Sequence, residues 1–252
     1  MPELPEVEAT RDNLMRWTVG HTIRAVWADG GSNLDGLVGA TVERWLRRGK
    51  RLAAVTSGPV VLVQLGMTGR IVRDASIERP YQRVRLTLDE STLSLVDVRR
   101  LGRVAVCGSV DEAFSGLGPD ALEPMDGKAL GQCLGRQRTA PLKAALMDQA
   151  RIAGLGNIAV LEACFRAGLA PQRSLATLSD KDLDALSRAI TEHLAHTLST
   201  TLGHDEIAYV SEGGDNPFLV YGREGEPCPR CHDPIRRVLV SGRPSFWCPQ
   251  CQ

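Results

Sequence analysis

The segments Cys228-Pro-Arg-Cys231 and Cys248-Pro-Gln-Cys251, separated by sixteen residues, restrict the fold more than any other part of the sequence. This spacing is typical of four-thiolate zinc sites, in which each cysteine pair lies on a tight turn and directs two sulfurs at one tetrahedral ion. Residues 235–247, between the pairs, predict a β-hairpin with Gly242 at its bend. The sequence therefore predicts a zinc ribbon with one structural ion. The predicted ligands are Cys228, Cys231, Cys248 and Cys251.

A pair of disulfide bonds is the alternative use of these four cysteines. It would require an oxidising compartment. The other three cysteines, Cys107, Cys133 and Cys164, lie in apolar segments, and nothing at the N-terminus resembles a secretory signal peptide. These observations favour zinc over disulfides.

The opposite end of the chain begins Met1-Pro2-Glu3-Leu4-Pro5-Glu6. An initiator methionine before a small residue is normally removed, which would leave the secondary amine of Pro2 at the start of the protein. A free α-amino group has a pKa of about 7.7–8.0, so a useful fraction is deprotonated near neutrality and can attack an aldehyde-like carbon. The carboxyl group of Glu3, next to this amine, could transfer the protons that such an attack requires. The alternative is a frayed terminus in which Pro5 merely starts a helix.

Charge is balanced overall but unevenly distributed. The 252 residues contain 30 Lys plus Arg and 30 Asp plus Glu, so net charge gives no indication of a partner. No apolar run approaches the roughly 18–20 residues needed to cross a bilayer, and we expect a soluble, cytoplasmic protein. Basic residues concentrate in three segments: Arg44, Arg47, Arg48, Lys50 and Arg51; Arg99, Arg100 and Arg103; and Arg223, Arg230, Arg236, Arg237 and Arg243.

Hydrophobic periodicity divides the chain into two halves. A helix is predicted from Pro5 to about Trp17. Four short apolar runs follow at the spacing of a β-sandwich, at 60–65, 84–88, 93–96 and 103–106. Beyond a Gly/Pro-rich stretch at 116–127 the pattern becomes helical, and Ser179 to Asp182 resembles a capping start for a long helix.

Six separated motifs, taken in their order and spacing, resemble the formamidopyrimidine-DNA glycosylase family, the Fpg/Nei group of DNA-repair enzymes. The resemblance runs from Met1 to Gln252. The motifs are MPELPEVE at the start, RRGKRL around Lys50, QLGMTGR at 64–70, DVRRLG at 97–102, LMDQARIAGLGNIA at 146–159, and VYGREGEPC before the cysteines.

The resemblance implies an α+β multidomain fold. Its parts would be an N-terminal catalytic β-sandwich domain with an N-terminal helix at 1–116, a helix–two-turns–helix DNA-binding domain at 128–215, and a C-terminal zinc-ribbon finger at 220–252. Because the three basic clusters fall on family motifs, they would form a surface that tracks DNA phosphates. The expected partner is damaged double-stranded DNA, and we expect a monomer.

The resemblance also implies a bifunctional DNA glycosylase and abasic-site lyase of base excision repair. It would excise oxidised purines, 8-oxoguanine and formamidopyrimidines, through a Schiff base on Pro2 followed by β,δ-elimination. The resemblance favours oxidised purines because Leu4 follows Pro2-Glu3 and because Met67 and Arg99 are both present, as in the purine-specific branch of the family. Two alternatives stay open: the same chemistry on oxidised pyrimidines or other lesions, and a non-catalytic protein that binds damaged DNA.

Individual site residues follow from matching the motifs position by position. The catalytic set would be Pro2, Glu3, Lys50 and Arg243, the last two on DNA phosphates. Residues that contact DNA would be Met67, Arg99, Leu101, Arg138, Lys143 and Asn157, of which the first three would fill the void left by an everted base. Without the resemblance, Lys50 would be a solvated hairpin lysine, Met67 a core residue, and Asn157 the N-cap of a helix.

Three positions depart from the family pattern. Leu101 stands where phenylalanine is usual, Tyr81 where a phosphate-binding histidine is expected, and Ala159 where a tyrosine often follows Asn-Ile. The segment from His204 to Phe218 would form the lid over an everted base.

Overall fold

The computed structural model describes residues 2–29, 34–74, 80–135, 139–205, 207 and 216–252. The chain forms two compact units, Met1–Ser115 with Thr200–Glu212, and Gly116–Ser199 with Gly213–Gln252. Among the described residues, no helix combines the length and the apolar character needed to span a membrane.

Helix α1 (Leu4–Thr18) opens the first unit, as the sequence predicts. Glu3 is its N-cap and forms a capping box with Glu6, while Pro5 lies in the first turn, where its missing N–H costs nothing. The buried face includes Leu14 and Trp17. Thr18 fastens the end of the helix to the sheet, because its hydroxyl accepts a hydrogen bond of 2.8 Å from the indole of Trp45.

Two antiparallel four-stranded sheets make up the β-sandwich. One has the strand order β1-β6-β7-β5 and the other β2-β3-β4-β8. The strands are β1 (Ile23–Ala28), β2 (Val42–Arg48), β3 (Arg51–Thr56), β4 (Val60–Gln64), β5 (Arg70–Arg73), β6 (Gln82–Leu88), β7 (Thr92–Val96) and β8 (Arg103–Cys107). The four predicted apolar runs are therefore strands. The inward side chains of the two sheets, such as Leu52, Val63 and Leu95, form one core with α1. A short helix, α2 (Val110–Ala113), ends this part.

The second unit is helical up to its metal-binding end, in agreement with the predicted fold class. Its helices are α3 (Gly127–Leu134), α4 (Leu142–Leu146), α5 (Asn157–Ala167) and α6 (Asp180–Thr201). The capping start of α6 is confirmed: the Ser179 hydroxyl accepts from the Asp182 N–H at 3.2 Å, and the Asp182 carboxylate accepts from the Ser179 N–H at 2.8 Å.

One buried carboxylate on α5 fixes the segment that leads into the cysteines. Glu162, only 1% exposed, accepts hydrogen bonds from the backbone N–H groups of Leu219, Val220 and Tyr221 at 2.9, 3.0 and 3.1 Å. Buried backbone donors need such partners. This segment is thus held to α5 by charge-assisted hydrogen bonds.

A β-hairpin of β9 (Arg236–Val240) and β10 (Arg243–Trp247) follows, as predicted. Val240 pairs with Arg243, so the loop contains two residues, Ser241 and Gly242. Both have positive φ, 50° and 73°, which is the geometry of a type I′ turn. Arg243 therefore stands directly after the bend.

Candidate functional site

The start of the first unit is a fixed structure. Pro2 is buried and Glu3 is only 3% exposed. The Glu3 backbone N–H donates to the Glu6 carboxylate at 2.9 Å, and the Val7 N–H donates to the Glu3 carbonyl at 3.1 Å. A frayed terminus is therefore the wrong interpretation, because the capping box and the burial hold Pro2-Glu3 at the start of α1.

Glu6 is a third ionisable group at this site and was not anticipated from the sequence. Burial raises the pKa of Glu6, and the carboxylate of Glu3 raises it further, although hydrogen bonds from the backbone N–H groups of Glu3 and Glu6 act in the opposite direction. A carboxyl group with a raised pKa retains its proton closer to neutrality. The terminus thus places two carboxyl groups beside Pro2.

Lys50 lies at the two-residue turn between β2 and β3, half-buried, and Gly49 before it has φ +56°. Arg47, near the end of β2, is bound to Glu8 of α1 and also donates to the Gly49 carbonyl at 3.0 Å. Arg51 donates to the carbonyls of Ala113 and Ser115 at 3.1 and 2.9 Å. Two arginines of this cluster therefore fasten the turn to its own unit.

Met67, Arg99 and Leu101 lie on two loops of the first unit that come together. Met67 is 37% exposed and Leu101 is 52% exposed, so Met67 is not a core residue. An Arg99 guanidinium nitrogen donates to the Met67 sulfur at 3.0 Å. The three side chains predicted to fill a DNA void thus share one exposed site.

The four predicted metal ligands converge in the second unit. Their sulfurs all lie within 4.8 Å of one another, with 3.8 Å between Cys228 and Cys251 and 3.4 Å between Cys231 and Cys248. Disulfide sulfurs would be about 2.05 Å apart, whereas four thiolates around a zinc ion at about 2.3 Å would lie close to the observed separations. The cluster is a structural metal centre, and the disulfide alternative is excluded.

Lys143 was predicted to contact DNA, but the structure places its side chain in the interior of the second unit. It is 1% exposed, and its ammonium donates to the Pro244 carbonyl at 2.9 Å, the Ser245 hydroxyl at 2.7 Å and the Arg243 carbonyl at 3.4 Å. Burial, together with the nearby charge of Arg243, lowers the pKa of Lys143 to about 8. With three acceptors in place, the ammonium has no donor left for the predicted phosphate or lesion contact. It holds the hairpin strand that carries Arg243.

Asn157 is the first residue of α5, and the N-cap is Gly156. The prediction that Asn157 caps the helix was therefore wrong, because its side chain turns toward the hairpin instead. The side-chain amide nitrogen of Asn157 donates to the Pro244 carbonyl at 3.3 Å. The side-chain oxygen Oδ1 is buried and has no hydrogen-bond partner among the described residues. Asn157 and Lys143 thus bind the same carbonyl beside the exposed Arg243.

Three family models match successive parts of the chain: the formamidopyrimidine-DNA glycosylase N-terminal domain at residues 1–104, the formamidopyrimidine-DNA glycosylase H2TH domain at 117–207, and the zinc finger found in FPG and IleRS at 225–252. The formamidopyrimidine-DNA glycosylase of Gluconobacter oxydans is 37% identical, with all of both chains covered. The chain belongs to the formamidopyrimidine-DNA glycosylase family.

Solved structures of formamidopyrimidine-DNA glycosylases agree with this. MutM (Fpg) from Thermus thermophilus is 35% identical with a TM-score of 0.86, covering 100% of this chain and 98% of that one. MutM in complex with DNA containing carbocyclic 8-oxo-G is 28% identical with a TM-score of 0.90, covering 100% and 99%. A Lactococcus lactis Fpg complex with DNA containing an oxidised pyrimidine is 27% identical with a TM-score of 0.89, at the same coverage. Like the family, the chain is a DNA-repair glycosylase and abasic-site lyase.

The formamidopyrimidine-DNA glycosylase motifs include basic residues that the structure uses internally. Arg230, between two cysteines, donates to the carbonyls of Phe165 and Arg166 at 2.9 and 3.0 Å and lies 4.4 Å from the centre of the Phe165 ring. Arg223 pairs with Glu226 at 2.7 Å. Neither is the open phosphate contact expected of the third basic cluster. Arg236, Arg237 and Arg243 are exposed.

Some predictions concern positions outside the described residues. Arg138 is one of them, and so is most of the predicted lid, 204–218. The described start of that segment is held to α1, because Asn13 donates to the carbonyls of His204 and Asp205 at 2.9 and 3.3 Å. Of the other departures from the formamidopyrimidine-DNA glycosylase pattern, Tyr81 is 59% exposed with φ +64°, and Ala159 is buried in α5.

Proposed function

We propose that this glycosylase excises oxidised purines, with the amine of Pro2 as nucleophile and Glu3 as proton donor. The observation that carries this proposal is the fixed N-terminus, where the capping box holds a buried Pro2-Glu3 pair next to Glu6. Removal of Met1 is part of the proposal, because it creates the amine. Proximity of nucleophile and acid is a large source of rate acceleration.

The chemistry follows from the secondary amine. The deprotonated nitrogen attacks C1′, the base leaves with a proton, and protonation of the sugar-ring oxygen by Glu3 opens the ring. A secondary amine then gives an iminium that is positively charged without further protonation. This charge acidifies the C2′ hydrogen, whose loss expels the 3′ phosphate. A second elimination releases the 5′ phosphate, and water regenerates the amine.

The DNA contacts we propose come from both units. Lys50 and Arg243 bind phosphates flanking the lesion, and Met67, Arg99 and Leu101 fill the void left by the everted base. Asn157 keeps its second amide hydrogen for a phosphate. Lys143 does not contact DNA. Its ammonium is bound to the hairpin, and this residue therefore positions Arg243.

Several further assignments belong to the same proposal. The ion held by the four cysteines is zinc, which supplies rigidity to the hairpin and takes no part in the chemistry. The domains are residues 1–116, 128–215 and 220–252. The protein acts as a monomer on damaged duplex DNA in the cytoplasm.

Oxidised pyrimidines are the second candidate substrate class. A Lactococcus lactis Fpg has been solved with DNA that contains an oxidised pyrimidine, and another MutM with an 8-oxo-G analogue. Single-turnover excision from otherwise identical duplexes that contain 8-oxoguanine, a formamidopyrimidine or thymine glycol distinguishes the two classes. We expect faster excision of both purine lesions. Faster excision of thymine glycol would reverse the assignment.

Borohydride trapping tests the nucleophile. Protein whose N-terminal tag has been cleaved to leave Pro2 first should give one covalent adduct with an abasic duplex, on the N-terminal peptide. The same protein with the tag retained is the matched control and should give none. An adduct on Lys50, or equal trapping with the tag retained, contradicts the assignment.

A substitution of Glu3 tests the proton donor. Glu3→Gln should abolish base release while duplex binding persists, because it removes a proton and little contact area. Asp12→Asn, which neutralises an exposed carboxylate on the same helix, is the control and should keep full activity.

A further inference from the structure

The loop that carries Met67 and the loop that carries Arg99 and Leu101 meet at one buried carboxylate. Asp97 follows β7 and is fully buried, at 0% exposure. One of its carboxylate oxygens accepts from the Thr68 hydroxyl and from the Arg99 N–H at 3.2 Å, and the other accepts from the Gly102 N–H at 2.6 Å. Both loops are therefore held by the same side chain.

The Thr68 hydroxyl completes this connection. It donates to Asp97 and accepts from the Arg99 N–H at 3.0 Å, so it links a neighbour of Met67 directly to the backbone of Arg99. Burial favours the neutral form of Asp97, but the hydrogen bonds from Thr68, Gly102, Arg99 and Leu101 outweigh it and hold the pKa of this carboxyl below its usual range. The group is thus an anion whose acceptor sites are committed to the two loops.

The two loops also touch backbone to backbone. Gly66 has φ +67°, and a Cβ on it would lie 2.7 Å from the Leu101 carbonyl carbon and 2.8 Å from the Gly102 nitrogen. A Cβ on Gly102 would lie 3.1 Å from the Asp97 carboxylate. Only glycine at 66 permits this approach. The separation of Met67 from Leu101 is therefore set by a rigid contact.

We infer that Asp97 and Thr68 are positioning residues for base eversion: they hold Met67, Arg99 and Leu101 in the one arrangement that enters the void in the duplex. This inference rests on the void-filling role in the proposed function. The two residues act through the loops and do not touch the reacting atoms. Their contribution should thus appear where a paired base must be extruded, and not where the base is already missing.

The test compares Thr68→Val, which keeps the size of threonine but removes the hydroxyl, with Thr68→Ser, which keeps the hydroxyl. Single-turnover rates are measured on an 8-oxoguanine duplex and on an abasic duplex of the same sequence. For Thr68→Val we expect a loss of about tenfold or more on the 8-oxoguanine duplex and less than about threefold on the abasic duplex. Thr68→Ser should restore most of the loss.

A second pair of variants tests the same inference without removing a hydrogen-bonding side chain. Gly66→Ala introduces both the strain of a positive φ and the clash with Leu101. Gly20→Ala introduces the strain alone, since Gly20 has φ +86° and a Cβ added there would meet nothing within 4 Å. We expect the substrate-selective loss for Gly66→Ala and no such loss for Gly20→Ala.

Two results in Thr68→Val and Gly66→Ala would overturn the inference: equal losses on both duplexes, or no loss on either. The fluorescence of 2-aminopurine opposite the lesion provides a direct measurement, because entry of the three side chains should unstack it in the wild type and less so in Thr68→Val. A wild-type protein that forms no adduct with the abasic duplex contradicts the proposed function itself, and is thereby distinguished from failure of this inference.

Discussion

The paired loops of the first unit and the hairpin of the second unit use their polar residues in opposite ways. In the loops, the predicted DNA contacts Met67, Arg99 and Leu101 are exposed, and a residue absent from the prediction, Asp97, is buried beneath them. At the hairpin, the predicted contacts Lys143 and Asn157 are themselves buried and bind the Pro244 carbonyl.

This contrast teaches that a motif identifies a functional region without separating the residues that touch the ligand from those that hold them. Arg99 is a cation within a family motif, and Lys143 is a cation three residues before one. The Arg99 side chain is exposed, whereas the ammonium of Lys143 donates hydrogen bonds to three acceptors of its own chain. Substitutions at the hairpin should therefore change stability first, and substitutions at the loops should change activity first.

The largest expected effect comes from removing a metal ligand. Cys248→Ala should abolish zinc binding, which is worth on the order of 10 kcal/mol in small zinc modules. Displacement of Arg243 should then lower incision by about 100-fold or more. Zinc content and incision of an abasic duplex are measured together. Cys133→Ala, a half-buried cysteine outside the cluster, should retain both. Full incision without zinc would show that the hairpin does not depend on its ion.

Removal of the Glu162 carboxylate should give the next largest effect. Glu162→Leu leaves three backbone N–H groups without their acceptor, and we expect a loss of about 3 kcal/mol in the free energy of unfolding. Arg99→Ala, in the exposed loop, should change it by less than about 0.5 kcal/mol while weakening binding to lesion duplexes. Urea unfolding and duplex titration measure the two properties. Similar losses of stability in both variants would remove the contrast between the regions.

The buried lysine should give a pH-dependent effect. The pKa of Lys143 is about 8 in the folded protein, against 10.5 for an ordinary lysine. Between these values the unfolded chain binds more protons, so the wild type should gain stability relative to Lys143→Met as pH rises from about 8 to 10.5, by at most about 1.4 kcal/mol per pH unit. The gain is lost as pH falls through the folded pKa. Unfolding curves of the two proteins at several pH values measure the difference, and parallel curves would contradict the burial of a charged ammonium.

The smallest effect on stability is expected at Leu101. Because this side chain is 52% exposed, Leu101→Phe should change the free energy of unfolding by less than about 0.5 kcal/mol. An aromatic side chain adds base stacking worth about 1–3 kcal/mol, so excision from a well-paired 8-oxoguanine duplex should become faster, and cleavage of an abasic duplex should change less. Equal effects on the two substrates would place Leu101 outside the void.

Sequence patterns predicted those parts of the molecule that are formed by residues close together in the chain. The cysteine spacing predicted the metal cluster, because two residues between cysteines form the tight turn that a tetrahedral ion needs. Gly242 predicted the hairpin bend, and the predicted capping start at Ser179 lies where α6 begins.

The N-cap of α5 shows where local reasoning fails. Asparagine is a strong N-cap residue, and Asn157 directly precedes an apolar run. It nevertheless becomes the first helical residue because its amide binds Pro244, which lies 87 positions further along the chain. Gly156 then takes the cap. A long-range partner overrode a local preference of about 1 kcal/mol.

The sequence by itself determined the family, the metal ligands and the change from short strands to helices, because each depends on residues that are neighbours in the chain or on the order and spacing of motifs along it. Only the tertiary structure decided which polar side chains are buried. Lys143 meets Ser245 across 102 positions, and Thr68 meets Asp97 across 29. Burial is a property of what packs around a residue, so the division between residues that touch DNA and residues that hold them appears only once distant segments are brought together.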